Sequence, residues 1–317
     1  FLPRWSDGSC VDETMSTAPV CATRLGERIS RCPQQHQNGS PMSEQHGTEA
    51  AEQDEVADAI REVCAAVIMP RFRALGPDDV MEKGPGDLVT VADQLAEIEL
   101  TERLVSIEPG SQVVGEEAVA EDPSVIERVA AAGTVWLIDP IDGTGSFARG
   151  LPRFAVMVAR LVDGQTASAW IWQPTAGRMY VAHRRGGAFC NGVKLERKAN
   201  PRRDLNELTG DVRTTFFVDH KRMELMRRLA DRDRVKVDHG GACGYVYPEL
   251  ATGELDYAVF GRQYPWDHAP GALILEEVGG VARELDGEPY RPTHTSWGLL
   301  SVSHHEQWDP IHRELFG

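Results

Sequence analysis

The sequence predicts an α+β fold built in layers rather than as a barrel. Three observations predict it. Two amphipathic helical stretches open the regular part of the chain, and β-branched and aromatic runs joined by tight-turn dipeptides fill its middle. After about residue 200, strands alternate with helices. The 317 residues provide ample core for one large or two modest domains. Apolar residues make up 41% and charged residues 26%, an ordinary globular balance. The net charge of −16 opposes general nucleic-acid binding, because phosphate backbones recruit Lys and Arg. It still permits small phosphorylated molecules, since a bound cation can invert the local field.

Residues 1 to about 47 are rich in Ser, Gln, Gly and Pro without helical or strand period. They are expected to be a disordered tail, or an upstream extension ahead of a start at Met42. Residues 48–317 are expected to form the folded domain, with subdomains over about 48–198 and 199–317. Val56, Ile60, Val63, Cys64, Val67 and Ile68 recur at helical spacing before Pro70. A polar loop holding Lys83, Gly84, Pro85 and Gly86 leads to "DLVTVAD" and a second helix, expected to turn Leu95, Ile98 and Leu104 inward. A short strand at Val113 and Val114 is cut off by "GEE".

Thr134 to Ile138 is a continuous apolar strand ending at Asp139. The runs "FAVMVARLVDG", "TASAWIW" and "RMYVAHRRGGAFCNG" follow, punctuated by Asp163-Gly164, Pro174 to Gly177 and Asn191-Gly192, and read as antiparallel hairpins. Helices are expected at about His220 to Ala230, near Tyr245 to Ala251, and over "DHAPGALILEEVGG", which Gly279-Gly280 closes. "LDYAVF" and "LLSVS" read as strands, the second followed by a last helix.

No apolar stretch reaches the roughly 18–20 residues that span a bilayer, and no signal-peptide core lies near Phe1. The six cysteines lack metal-type pairing; Cys64, Cys190 and Cys243 sit in apolar segments and read as buried thiols of a reducing cytosol, whereas nothing follows from the even spacing of Cys10, Cys21 and Cys32. The expected location is cytoplasmic, with no membrane partner.

Chemistry concentrates in "WLIDPIDGTGSF". Pro140 cannot donate to a sheet ladder, so the strand is expected to stop there. The turn would aim Asp139 and Asp142 into the crevice beyond the strand's end. Gly143 lets the chain bend, and the short helix from Thr144 offers free N–H groups to a phosphate. Two like charges held close need a cation between them. Carboxylates together with phosphate are the ligand set of Mg²⁺. "VVGEE" adds Glu116 and Glu117, and "PWDHAPG" adds Asp267 at a helix start. A lone Asp before a helix is more often an N-cap than a ligand, and Asp-Gly is commonly just a turn. The conjunction of three acidic stretches, each at a strand end, favours the metal reading.

"GEE", "WLIDPIDGT" and "WDHAPGALILEEVGG", with "DLVTVAD" upstream, resemble the inositol monophosphatase family over about residues 50–315. The resemblance implies an α-β-α-β-α layered sandwich and a lithium-sensitive, Mg²⁺-dependent phosphomonoesterase, related to fructose-1,6-bisphosphatase and acting as a homodimer. It implies two or three Mg²⁺ ions. Glu116, Asp139 and the Ile141 carbonyl would hold one, and Asp139, Asp142 and Asp267 a second. It also implies that the amides of Gly143 and Thr144 hold the phosphate, and that Thr144, Asp93 and Glu116 orient and deprotonate the attacking water. Lys83 would sit on a mobile loop over the site. A two-metal site with ions about 3.5–4 Å apart suits in-line phosphoryl transfer without a protein nucleophile.

Two departures stand out. The family pattern after "DGT" has a residue followed by Asn-Phe, where this chain has Gly145, Ser146 and Phe147. Inositol phosphatases of the family carry an acidic residue six positions before the Trp of "WD", where this chain has Phe260. Arg262 and Tyr264 are the substrate-binding candidates there, suited to an anionic or planar leaving group. The expected partner is a small phosphorylated metabolite, with sugar phosphates, histidinol phosphate, nucleotide 3′-phosphates and inositol phosphates as candidates. "IDGT" also resembles the haloacid dehalogenase family, whose D-x-D-G-T spacing fails here because position 140 is Pro. A non-catalytic regulatory protein on the same scaffold is the alternative of another class. The histidines, His268 and His304-His305 among them, read as surface or supporting groups rather than ligands.

Overall fold

Capping and alternation of side chains account for each element in turn. The computed structural model describes residues 54–317 apart from 85–86, 200–203, 215–216, 218, 230–233, 238–240 and 295–297. The expected tail over residues 1–47, with Met42, Cys10, Cys21 and Cys32, lies outside the described residues. Helix α1 (Glu55–Val63) starts where the Asp54 side chain accepts from the Ala57 amide, and buries Val56, Ile60 and Val63. It widens into a π turn over Cys64–Ile68, then tightens into a 3₁₀ turn over Met69–Arg71 and ends around Pro70. Strands β1 (Val80–Gly84) and β2 (Asp87–Thr90) pair antiparallel. Lys83 and Gly84, expected in a loop, are therefore strand residues.

Helix α2 (Val91–Ile107) is capped by Thr90 in a box with Asp93. Its inward face is Ala92, Asp93, Ala96, Glu97, Leu100 and Leu104. Leu95 and Ile98, expected inward, are 37% and 57% exposed. The two buried carboxylates occupy the positions that the apolar pattern seemed to need. Strand β3 (Gln112–Gly115) runs into α3 (Glu116–Glu121), and β4 (Thr134–Asp142) into α4 (Thr144–Ala148). Strands β5 (Ala155–Val162), β6 (Gln165–Gln173), β7 (Arg178–His183), β8 (Gly187–Cys190) and β9 (Val193–Lys194) form the expected hairpin series. Asp163-Gly164 and Asn191-Gly192 have positive φ at both residues, as the tightest hairpin turns require. Then follow β10 (Gly210–Val212), α5 (Asp219–Leu229), β11 (Val235–Val237), α6 (Cys243–Thr252), β12 (Tyr257–Phe260), α7 (Pro265–Glu277), β13 (Val281–Glu284), β14 (Leu299–Val302) and α8 (Trp308–Phe316).

These elements stack in five layers. The seven-stranded sheet has the order β3-β4-β5-β6-β7-β8-β9, and the five-stranded sheet β11-β10-β12-β14-β13. Trp136 and Ile138 of β4 face α1 and α2, whereas Val135 and Leu137 face α6 and α7. Ala258 and Phe260 of β12 meet α6 and α7 from the second sheet. Tyr257 and Val259 point the other way, onto α5 and α8. The order is α-β-α-β-α, as expected. Cys64 and Cys243 are buried and Cys190 half-buried, so the last is less enclosed than its sequence suggests; all three are free thiols.

Pro140 does not end its strand. β4 pairs with β5 through Asp139↔Met157 and resumes at Asp142↔Ala155, with the register shifting between them. The missing Pro140 N–H is absorbed in a bulge, one of the few places a sheet tolerates proline. The bulge puts the two aspartates where the ladder is irregular and their carboxylates can turn out of it.

Candidate active site

Asp139 and Asp142 flank this bulge and are 1% and 7% exposed. Gly143 follows with φ +87°, and a Cβ there would stand 3.0 Å from the Arg153 carbonyl oxygen, so both conformation and space call for glycine. The turn directs the chain into α4, where Ser146 is buried and donates its amide to the Gly143 carbonyl. Asp142 accepts from the Cys243 amide at 2.9 Å and the Gly244 amide at 2.5 Å, tying β4 to the start of α6.

Asp267 comes from the first turn of α7. Oxygens of Asp139, Asp142 and Asp267 lie within 4.8 Å of one another. Asp139 Oδ1 is buried with no hydrogen-bond partner. Burial, then the neighbouring carboxylates, push the Asp139 and Asp267 carboxyls well above the usual range. Asp142 is pushed up to about 6, mainly by burial, against the two amides and Arg213. A buried carboxylate oxygen without a protein donor, inside a cluster of like charges, is a position that a cation would satisfy. The donor set is all oxygen, which fits a hard divalent ion.

Glu116 begins α3 and is not one of that trio. Its Oε1 pairs with Lys83 Nζ at 3.1 Å, and Lys83 also reaches Glu117 at 2.7 Å. Burial lowers the Lys83 pKa, but the two glutamates outweigh it and raise it. Glu116 is nevertheless the foremost charge, after burial, acting on both Asp139 and Asp267. Asp93 accepts from the Thr90 amide and hydroxyl through Oδ2, and from the Thr144 hydroxyl through Oδ1 at 3.2 Å. The Thr144 hydroxyl also lies 3.0 Å from the Ile141 carbonyl. Burial pushes Asp93 up to about 7.

Three groups escaped the sequence reading. Glu97, 6% exposed, accepts the Glu117 and Ala118 amides at 2.7 and 2.8 Å and so fixes the start of the helix that bears Glu116. Its i,i+4 spacing from Asp93, on a helix face otherwise apolar, was the available signal. The Cys243 and Gly244 amides carry no side-chain signal at all. Arg213 follows β10 and stacks its guanidinium 5.1 Å from the Phe260 ring centre, with Nη1 donating to Cys243 Sγ at 3.3 Å and Nε 3.6 Å from Asp211. Nothing in the local pattern marks it.

Phe260 is 2% exposed, stacked on Tyr247 at 5.6 Å and edge-on to His268 at 4.8 Å. The position six before Trp266 is thus aromatic and overlaid by a cation. His268 is not aimed at the acidic oxygens. Burial pushes its pKa down to about 3, so the ring is neutral. Nε2 donates to the Arg262 carbonyl, leaving Nδ1 to accept from Tyr247. Arg262 and Tyr264 line a cleft of about 690 Å³ that reaches Lys83 and Glu116.

A family model described as the inositol monophosphatase family matches residues 49–315. The inositol-1-monophosphatase of Bacillus subtilis (strain 168) is 29% identical over 248 residues, covering 77% of this chain and 89% of that protein. A Neisseria meningitidis serogroup B protein named putative Nus factor SuhB is 31% identical over 68% of this chain and 82% of its own length. Among solved structures, the Thermotoga maritima IMPase superposes with a TM-score of 0.68 at 24% identity, over 82% of this chain and 94% of that one.

Proposed function

The chain belongs to the inositol monophosphatase family, and from that premise we propose that it is a Mg²⁺-dependent phosphomonoesterase acting on a small phosphorylated metabolite. The observation that carries the reading is the convergence of Asp139, Asp142 and Asp267 within 4.8 Å around an unpartnered carboxylate oxygen. In this reading Glu116, Asp139 and the Ile141 carbonyl hold one ion, and Asp139, Asp142 and Asp267 another. Bound there, the ions supply the positive charge that polarises the phosphoryl group and stabilises the departing alkoxide.

The chain's own groups do the rest. Thr144 orients a water along the line opposite the ester oxygen, with Glu116 beside it. The water proton passes through the Thr144 hydroxyl to Asp93, whose carboxyl, raised to about 7, is matched to accepting it near neutrality. A new O–P bond forms, the P–O bond to the alcohol breaks with its electron pair leaving on the alkoxide oxygen, and that oxygen takes a proton from solvent water while Asp93 returns its own proton to solvent. The Gly143 and Thr144 amides would hold the phosphoryl oxygens, and Lys83, paired with Glu116, adds positive charge at the edge of the site. Positioning and charge neutralisation suffice for such a transfer.

Phosphate release from a generic aryl phosphate, with and without Mg²⁺, tests the proposal. Turnover that needs Mg²⁺ and is blocked by millimolar lithium supports it. Absence of turnover on a broad panel would instead favour a regulatory role, the reading that the SuhB-named relative suggests. The homodimer and the cytosolic setting belong to the same proposal, with sedimentation as the check on the first. No described helix is long and apolar enough to cross a membrane.

A further inference from the structure

A cation, Arg213, stands behind the acidic residues with only 20% of its side chain exposed. It follows β10 directly, and its amide donates to the Val259 carbonyl at 2.9 Å, so the second sheet fixes its backbone. Nη1 donates to Cys243 Sγ at 3.3 Å, and the Cys243 amide in turn donates to Asp142 at 2.9 Å. A single residue therefore links the guanidinium to a carboxylate of the cluster. The stack on Phe260 holds it from another side, and Phe260 ends β12 shortly before Asp267. Burial pushes Asp142 and Asp267 up, and the Arg213 charge works against that push at both.

Little nearby neutralises this charge. Asp211 comes within 3.6 Å of Nε, too far for a hydrogen bond, and among the described residues the buried Nε and Nη2 have no hydrogen-bond partner. An arginine keeps its proton even in such surroundings. Its charge is thus compensated only in part, and its field reaches the carboxylates. A fixed positive charge keeps neighbouring acids ionised and at the same time repels any cation they bind. We infer that Arg213 is a built-in counter-cation of this site: it holds Asp142 and Asp267 ready for Mg²⁺ while keeping the ion they share weakly bound and exchangeable. The inference rests on the Mg²⁺ reading of the acidic residues, and adds a residue that sets ion affinity through charge without being a ligand.

Two substitutions of opposite sign test it. Arg213→Met removes the charge and keeps a long side chain against Phe260. Asp211→Asn removes the partial counter-charge and leaves the arginine in place. Calorimetric titration with Mg²⁺, without substrate and at a pH where uptake no longer releases protons, reads ion affinity apart from turnover. Arg213→Met should bind Mg²⁺ about tenfold tighter or more, and Asp211→Asn about threefold weaker or more. Repulsion scales with the charge of the ion, so the gain in Arg213→Met should grow to about thirtyfold for Tb³⁺. Arg213→Lys keeps the charge and should stay within about threefold of wild type for both ions. A residue that only braced Cys243 would give the reverse, with weaker binding in Arg213→Met by the same factor for both ions. That result would overturn the inference. If Arg213→Met does not fold, the direction of the shift in Asp211→Asn decides alone. Wild-type protein that takes up neither ion would overturn the metal reading and this inference with it, whereas uptake that the substitutions leave unshifted overturns this inference only.

Discussion

Asp139 has one carboxylate oxygen with no protein donor and two more carboxylates within reach, so its charge costs free energy that a cation would offset. Asp139→Asn should therefore cut turnover by about a hundredfold or more. In the metal-free protein the same change should raise Tm, by about 2–4 °C per kcal/mol of repulsion relieved. Phosphate release and a thermal melt without metal check the two halves, and a lower apo Tm would count against the repulsion argument. Glu97 acts at one remove by accepting the first amides of α3. Glu97→Ala should raise the Mg²⁺ concentration for half-activity about tenfold or more, with Glu97→Gln milder because its amide oxygen still accepts. Phe260 gives the inositol ring no acceptor, and a buried unpaired hydroxyl costs about 1–3 kcal/mol. Inositol 1-phosphate should thus fall about ten- to a hundredfold below the best substrate in kcat/KM. A panel in which it ranked first would refute that argument. Phe260→Glu would place a carboxylate under Arg213 and should narrow the gap, although it also breaks the stack with Tyr247 and His268.

Helix α2 shows why local pattern misleads near a site. Its apolar residues Leu95 and Ile98 suggest one inward face, yet Asp93 and Glu97 hold that direction together with Leu100 and Leu104. Ile98→Lys should accordingly leave stability within about 0.5 kcal/mol, whereas Leu100→Ala should cost about 2–5 kcal/mol. Denaturant melts of the two variants decide between the faces. Elsewhere the pattern was a sound guide. The hairpins after Asp142 were legible because Asp-Gly and Asn-Gly fix both length and twist of a turn. Layering was legible in the order of helices, hairpins and mixed elements, whereas the five-layer order was implied only by the family resemblance. The acidic residues were legible because each ends a strand or opens a helix. The Pro140 bulge was not, since only the partner strand β5 decides whether pairing resumes at Asp142. Arg213 and the Cys243 and Gly244 amides were also hidden, because their importance comes from residues distant in the chain.

At the scale of the molecule, the buried acids make stability depend on pH in a definite direction. Asp93 and Glu97 are raised to about 7 and Asp142 to about 6, chiefly by burial. Unfolded carboxyls titrate near 4, so between about pH 4 and pH 7 the folded, metal-free protein holds more protons than the unfolded chain. Its stability is therefore greatest at the acidic end of that window and falls as pH rises through it. The metal-free Tm should be at least about 5 °C higher at pH 5 than at pH 8. Mg²⁺ should close much of that difference by raising Tm more at pH 8, where the ligands are ionised. Melts at the two pH values with a chelator and with Mg²⁺ check the sign, and a metal-free optimum at pH 8 would contradict it. The bond from the Cys243 amide to Asp142 joins residues 101 positions apart. It brings α6, which packs in the layer between the two sheets, against the strand that holds the first two aspartates. A chain that has assembled only its seven-stranded sheet has Asp139 and Asp142 but neither that clamp nor Asp267. Long loops close late, because their entropy must be lost before their contacts form. Affinity for the cation then works as a clock for assembly: in a refolding time course, a metal-dependent signal should emerge only with the slowest phase, after most of the secondary structure has returned.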